Sequence, residues 1–154
     1  MNTNSPVLLV EDNHEDTEAT LRAFSRVGLS NQVFHCDDGE DALDFLYRRG
    51  EYASAAEAPR PCLILLDLNL PGTDGREVLS VVKQDEQLKN IPVLVLTTSN
   101  DERDIESCYR MGANCYISKP VDFGKLVRSI QHVKGFWFET VVLPRGEAGV
   151  VAYF

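Results

Sequence analysis

Five short runs of apolar residues, separated by longer segments of a different pattern, constrain the fold of this chain most strongly. The runs occupy residues 6–10, 32–36, 62–66, 91–96 and 114–118. They are rich in Val, Ile and Leu and contain few polar residues, which is typical of strands that are covered on both faces. The sequence therefore predicts five buried β-strands.

The segments between these runs carry apolar residues at helical spacing. One such stripe comprises Leu21, Phe24 and Val27, which share a single helix face. Further helices are predicted around residues 42–46, 77–82, 102–111 and 123–133. Strict alternation of strands and helices predicts an α/β fold, a doubly wound parallel sheet with helices on both faces. The Ala- and Pro-rich segment 51–61 is predicted to be a surface loop.

Composition argues against several classes of partner and location. The formal net charge of -9 disfavours non-specific binding to nucleic acid, which needs basic side chains to neutralise phosphates. No apolar run approaches the ~20 residues that a membrane span requires, and the N-terminus lacks the pattern of a secretory signal. The cysteines are scattered without a CxxC pair, which favours free thiols in a cytoplasmic protein. They are Cys36, Cys62, Cys108 and Cys115.

Polar residues follow the ends of four of the predicted strands. They are Glu11, Asp12, Asp67, Thr97 and Lys119. In an open parallel sheet, ligands bind outside the carboxyl ends of the strands, so we expect these side chains to converge. Carboxylates brought close together repel one another, and oxygen ligands of negative charge suit Mg²⁺. A carboxylate nucleophile, a metal site, a cation and a hydroxyl are the groups that phosphoryl transfer uses.

Each of these residues also has a plainer interpretation when it is taken alone. Asp67 could cap a turn at the end of a strand, and the acids at 11 and 12 could favour the start of a helix. Tyr116, which alternates with core residues, could be a packing residue only. The combination of Asp67 with Asp12, Thr97 and Lys119 favours the functional interpretation.

Four motifs in this order resemble the receiver domain of two-component response regulators. They are "VEDN" at 10–13, "LLDLNLPGTDG" at 65–75, "LTTS" at 96–99 and "YISKP" at 116–120. The resemblance covers about residues 5–134. It implies the flavodoxin-like receiver fold, with five strands in the order 2-1-3-4-5 and five flanking helices.

The resemblance also implies a role for each carboxylate. Asp67 corresponds to the phosphoacceptor, which receives a phosphoryl group from a sensor histidine kinase. Asp12 corresponds to a direct Mg²⁺ ligand, and Glu11 to one that acts largely through water. Asp67 and the backbone carbonyl of Asn69 complete the implied metal site.

The remaining motif residues correspond to the switch. Thr97 is the implied hydroxyl that hydrogen-bonds the phosphoryl group, and Tyr116 is the aromatic residue that turns inward when Thr97 moves. Lys119 offsets charge on the phosphoryl oxygens, and the resemblance implies a cis bond between Lys119 and Pro120. Such a protein catalyses only its own phosphorylation and dephosphorylation and is not an enzyme with an external substrate.

Residues 135–154 follow this unit and include "FWFETVVL" at 136–143, which is too apolar for a free tail. Together with the "EDN" start and the long 51–61 loop, this extension resembles stand-alone regulators paired with bacterial phytochrome kinases. In that group the extension helps to build a homodimer, so a dimerisation arm is expected here. The alternative is that it folds back onto its own domain. Residues 147–154 carry no readable chemistry.

A doubly wound fold and acidic site residues also occur in proteins that are not signalling receivers, and the sequence distinguishes some of these alternatives. A Mg²⁺-dependent phosphohydrolase with an aspartyl nucleophile generally has a second acid two residues after the nucleophile, where this chain has Asn69. A flavin-binding domain would need a phosphate-cradling loop after the first strand, and the residues there are acidic. A degenerate scaffold is disfavoured by the complete set of residues. A receiver that drains phosphate from its kinase, or passes it along a phosphorelay, stays open.

Overall fold

Five parallel strands form one sheet in the order β2–β1–β3–β4–β5 in the computed structural model, which describes residues 5–54 and 56–144. The strands are β1 (Val7–Val10), β2 (Val33–Cys36), β3 (Leu63–Leu66), β4 (Val93–Thr97) and β5 (Cys115–Ser118). All pairings are parallel, and the predicted strand order is confirmed.

Five helices connect the strands. They are α1 (His14–Arg26), α2 (Gly39–Tyr47), α3 (Gly75–Gln84), α4 (Glu102–Met111) and α5 (Phe123–Val133). The residue before each helix is Asn or Asp, and its side chain accepts a hydrogen bond from a backbone N–H of the first turn. This bond satisfies a donor that has no partner within the helix, which fixes where each helix begins.

The sheet is covered by two hydrophobic layers, as a doubly wound fold requires. Leu8 and Val10 of β1 point to the face that packs against α2, α3 and α4. Val7 and Leu9 point to the opposite face, which packs against α1 and α5. Because successive side chains of a strand alternate between faces, a run without polar residues fills both layers.

The predicted surface loop is tied to the domain at two points. It begins with a short 3₁₀ turn at Gly50–Tyr52, and Ala58 is buried in the core. The Arg48 Nε donates a hydrogen bond to the Ala58 carbonyl at 3.0 Å. The loop therefore lies on the surface, but its middle is anchored.

The C-terminal extension begins as a continuation of α5. A π-helical turn spans Lys134–Phe138, and Phe138 is buried against α1 and α5. The Lys134 ammonium donates to the carbonyl of Val27 near the end of α1 at 2.8 Å. Phe136 and Val142, in contrast, are 53% and 96% exposed. Part of the extension thus packs on its own domain and part stays uncovered, while residues 145–154 lie outside the described residues.

The four cysteines are unpaired, as predicted. Burial raises the pKa of each thiol, that of Cys62 to about 11, so the reactive thiolate is scarce at neutral pH. Within the described residues, no helix combines the length and hydrophobicity that crossing a membrane would need.

Gly75 packs against the backbone that carries Asp67. A Cβ atom on Gly75 would lie 2.1 Å from the carbonyl oxygen of Asp67 and 2.6 Å from the Cα of Leu68. We expect Gly75→Ala to lower the free energy of unfolding by about 3 kcal/mol, because main-chain atoms have to move. Urea unfolding with linear extrapolation measures the loss.

Gly72→Ala, in the loop directly before α3, is the matched control. Gly72 has a φ of 66° but open space where a Cβ would lie, so the cost comes only from the left-handed backbone. We expect a loss of about 1 kcal/mol for this variant. A loss for Gly75→Ala no larger than that for Gly72→Ala would contradict the close approach of α3 to the end of β3.

Candidate functional site

The structure brings the predicted polar residues together at the carboxyl edge of the sheet. Glu11, Asp67, Thr97 and Lys119 are all buried, and Asp12 is exposed at the rim. The backbone N–H of Asp67 donates to the carbonyl of Val10 at 3.0 Å, which places the end of β3 beside the end of β1. The parallel register therefore assembles the site directly.

Three carboxylates form a cluster that is suited to a divalent cation. Glu11, Asp12 and Asp67 each offer an oxygen, and these atoms all lie within 4.8 Å of one another. Oxygen-only ligands of negative charge fit Mg²⁺, and the exposure of Asp12 leaves room for the waters that Mg²⁺ retains. The Asn69 N–H faces Asp67 Oδ1 at 3.4 Å, and the role of the Asn69 carbonyl as a ligand stays a prediction.

Lys119 is the cation of this cluster and contacts three carboxylates. Its ammonium donates to Glu11 Oε1, to Asp16 Oδ2 at 3.1 Å and to Asp67 Oδ2 at 3.5 Å. Burial alone would lower the pKa of Lys119, but the hydrogen bond to Glu11 and the charge of Asp67 outweigh it and raise the pKa. Lys119 therefore stays charged at neutral pH.

Asp16 was not identified from the sequence as part of the site. It lies in the first turn of α1, where an acidic side chain has a sufficient explanation in the helix dipole. No sequence signal separates it from its neighbour Glu15, because only the rotation of α1 about its axis aims one of them at Lys119.

Glu11 is the carboxylate whose protonation the site changes most. Burial raises the pKa of Glu11 to about 7, the charge of Asp67 adds to the rise, and the hydrogen bond from Lys119 opposes it. The single ammonium of Lys119 is shared by three carboxylates, so it cannot neutralise all of their negative charge. Within the cluster of carboxylates, the pKa of Glu11 therefore lies near neutral pH.

The affinity for Mg²⁺ is therefore expected to increase with pH. A bound cation requires the Glu11 carboxylate, so a proton competes with the metal below the pKa of about 7. Between pH 6 and pH 8 we expect the association constant to rise about tenfold, in proportion to the deprotonated fraction of Glu11. Isothermal titration calorimetry at the two pH values measures this change.

Glu11→Gln is the control for this pH dependence. A glutamine cannot take up the competing proton, so the affinity of this variant should be nearly the same at both pH values. An equally large rise in Glu11→Gln would assign the pH dependence to another group.

Thr97 carries a hydroxyl in an unusual position. Its Oγ1 is completely buried and makes no hydrogen bond within the part of the chain that the structure describes. An unsatisfied buried hydroxyl costs ~1–3 kcal/mol. Because Thr97 ends the strand next to the one that precedes Asp67, an acceptor oxygen attached to Asp67 could satisfy this donor.

The loop after β4 links Thr97 to Tyr116. The phenol of Tyr116 donates to the carbonyl of Ser99 at 2.9 Å, and its ring packs against the core. The Ser99 hydroxyl donates to Asp104 at 2.7 Å, and Asp104 pairs with Arg76 at 2.9 Å. The Ser99 hydrogen bond and the Arg76 charge lower the pKa of Asp104. Tyr116 is therefore hydrogen-bonded to the loop that begins directly after Thr97, and the role of these two residues as a switch stays a prediction.

The bond between Lys119 and Pro120 is trans, so the expectation of a cis bond is wrong for this structure. The trans isomer of a bond before proline is favoured by ~0.5–1 kcal/mol unless packing selects cis. The next residue, Val121, is fully exposed. Packing at that residue therefore does not favour the less stable isomer.

Comparison with known proteins identifies relatives that share most of this chain. Residues 7–131 match the response regulator receiver domain family. The response regulator Rcp1 of Synechocystis sp. is 44% identical over 138 residues, which cover 90% of this chain and 92% of Rcp1.

Two solved structures share the fold at similar identity. The phosphorylated cyanobacterial phytochrome response regulator RcpA is 42% identical with a TM-score of 0.85, covering 92% of this chain and 99% of RcpA. The Mn²⁺-bound form of Rcp1 is 43% identical with a TM-score of 0.83, covering 91% of this chain and 99% of that chain.

Proposed function

This chain belongs to the response regulator receiver domain family, and from that premise we propose that it is a phosphorylation-dependent switch with Asp67 as phosphoacceptor. The observation that carries the proposal is the contact between buried Asp67 and Lys119 at 3.5 Å, at the edge of the sheet where the neighbouring strand β4 ends in Thr97, whose buried hydroxyl has no hydrogen-bond partner among the described residues. A nucleophile and a cation are thus in contact, and a hydrogen-bond donor that lacks an acceptor in the described part of the chain lies at the end of the adjacent strand.

The proposed reaction is an in-line transfer from a phosphohistidine. A carboxylate oxygen of Asp67 forms a bond to phosphorus as the bond between phosphorus and the imidazole nitrogen breaks, and the imidazole departs with the electron pair. Lys119 offsets negative charge on the phosphoryl oxygens, and Thr97 Oγ1 donates a hydrogen bond to one of them. The site then gains the acceptor that Thr97 lacks.

Receiver domains bind Mg²⁺ at an acidic pocket, and the residues of this chain fit that ion. Glu11, Asp12 and Asp67 supply only oxygen donors, close enough to share one cation. When bound, Mg²⁺ supplies positive charge that stabilises the transferring phosphoryl group.

The protein acts as a signalling module on this proposal. It catalyses only its own phosphorylation and the later hydrolysis of the acyl phosphate, and it turns over no external substrate. The link from Thr97 through Ser99 to Tyr116 supports a switch in the surface around α4 and β5.

A sensor histidine kinase of the phytochrome type is the proposed donor. Support comes from relatives that are themselves phytochrome response regulators, at 42% identity for RcpA. The unpaired cysteines support a cytoplasmic location, where thiols stay reduced. We propose no nucleic-acid and no membrane partner, in keeping with the net charge of -9.

A homodimer through the C-terminal extension is the finer part of the proposal. An apolar cleft between β5 and the extension is lined by Ile117, His132, Phe136 and Trp137. Phe136 is 53% exposed, and a second copy could cover it. Light scattering at tens of micromolar should give the mass of two chains, and Phe136→Glu should give one. A wild-type monomer at that concentration would refute the dimer.

The phosphoacceptor role is tested by intact mass after incubation with acetyl phosphate. With Mg²⁺ we expect the gain of one phosphoryl group, and with excess chelator none. Reduction of the acyl phosphate by borohydride, followed by peptide mapping, should mark Asp67. A mark on another residue, or no gain from either acetyl phosphate or a phosphorylated kinase, would refute the proposal.

A further inference from the structure

The side chain of Asp16 accepts a hydrogen bond from the Lys119 ammonium, although none of the roles described above involves Asp16. The distance from Lys119 Nζ to Asp16 Oδ2 is 3.1 Å, shorter than the 3.5 Å to Asp67 Oδ2. An ammonium has three hydrogens, and the carboxylates of Glu11, Asp16 and Asp67 use all of them. The resting site therefore leaves Lys119 no free donor for a phosphoryl oxygen.

Local structure fixes the backbone of Asp16 for this contact. Its N–H donates to the side chain of Asn13 at 2.9 Å, and its carbonyl accepts from the hydroxyl of Thr20 at 2.8 Å. The side chain of Asp16 is 39% exposed, whereas those of Glu11 and Asp67 are 3% and 9% exposed. Asp16 is thus the partner that can turn away into water most easily.

We propose that Asp16 is a positioning residue that holds Lys119 in a resting place and competes with the phosphoryl group for its ammonium. This inference rests on the proposed phosphorylation of Asp67. A phosphoryl group brings further negative charge to a pocket that already holds more acidic than basic groups. Lys119 must then leave Asp16 before it can contact the phosphoryl group. This requirement lowers the rate of phosphorylation and the stability of the phosphorylated form.

Asp16→Asn should therefore speed phosphorylation. Asparagine keeps the shape of the side chain but loses the charge that retains Lys119. We expect the rate of phosphorylation with acetyl phosphate and Mg²⁺ to rise about fivefold. This is the size of effect expected when one nearby negative charge is removed from a partly solvated pocket. Asp16→Glu, which restores the charge, should return the rate toward that of the wild type.

Beryllofluoride provides a second readout that general damage to the fold would not improve. This phosphoryl mimic should bind Asp16→Asn about fivefold more tightly than the wild type in calorimetry with Mg²⁺, for the same electrostatic reason. The Lys119 ammonium should also change its ¹H–¹⁵N signal in the free protein, because it loses one of three acceptors.

Glu15→Gln is the matched control, because Glu15 is an exposed acid in the same turn of α1. It removes the same charge without touching Lys119, so we expect less than a twofold change, as is usual for an exposed charge. Three outcomes would overturn this inference but leave the proposed function standing. They are equal rates for the wild type and Asp16→Asn, a lower rate for Asp16→Asn, and an equal rise in rate for Glu15→Gln. A wild type that gains no phosphoryl group would overturn the proposed function as well.

Discussion

Asp67→Asn is expected to gain no phosphoryl group from acetyl phosphate and Mg²⁺ under conditions in which the wild type gains one. An amide is a poor nucleophile for phosphorus and supplies no carboxylate to the metal cluster. Intact-mass spectrometry measures the difference. Asp37→Asn, at an exposed acid after β2, should behave as the wild type.

The same substitution is expected to stabilise the folded protein. Carboxylate oxygens of Asp67, Glu11 and Asp12 lie within 4.8 Å of one another. The substitution therefore removes the repulsion of Asp67 by Glu11 and by Asp12, whereas it loses one attraction, to Lys119 at 3.5 Å. We expect the free energy of unfolding to rise by about 1 kcal/mol at pH 8 without Mg²⁺. Urea unfolding measures it.

The gain in stability should shrink as the pH is lowered. Glu11 has a pKa of about 7, so in the wild type it becomes neutral below that pH and no longer repels Asp67. The advantage of Asp67→Asn should therefore be smaller at pH 6 than at pH 8. A variant that is destabilised at both values would instead show that the Asp67 carboxylate is needed to hold the fold.

The sheet was predictable from sequence because its inner strands are buried on both faces. The runs at 62–66 and 91–96 became β3 (Leu63–Leu66) and β4 (Val93–Thr97), with boundaries one or two residues away. The order of strands followed only from the resemblance, since periodicity does not state which strands are neighbours. The helix starts could have been placed more sharply from the Asn and Asp caps, of which Asn13 is one.

The C-terminal extension continues the last helix past residue 134, where the domain limit was predicted, and that limit stays a prediction. Helical structure continues through Lys134–Phe138, and a signal for it was present. Leu126, Ile130, Val133 and Trp137 keep the spacing of one helix face. A domain limit at 134 followed from the receiver resemblance, which ends there, although the apolar stripe does not.

The part of the site that consists of residues at the carboxyl ends of strands was predictable from the sequence. Glu11, Asp67 and Lys119 meet because parallel strands present their carboxyl ends at one edge. The pair Arg76–Asp104 was not predictable, since its members lie 28 residues apart and meet only when α3 and α4 pack together. Such contacts depend on the rotation of helices, which short motifs do not encode.

Lys119→Met is expected to impair both phosphorylation and stability. Methionine has a similar length but no charge, so the phosphoryl oxygens lose their cation and the rate with acetyl phosphate should fall about a hundredfold. Glu11 and Asp67 remain buried without their partner, and the free energy of unfolding should fall by about 3 kcal/mol at pH 8. Intact mass over time and urea unfolding without Mg²⁺ measure the two effects.

The stability loss of Lys119→Met should diminish at lower pH, because Lys119 is what restrains the rise in the pKa of Glu11. Without the ammonium, that pKa increases beyond its wild-type value of about 7, and protonation at pH 6 neutralises Glu11. Lys125→Met, at an exposed lysine of α5, should leave both rate and stability unchanged. A deficit as large at pH 6 as at pH 8 would mean that Lys119 supports the fold through packing of its aliphatic stem, and the charge balance of the pocket would then not govern stability.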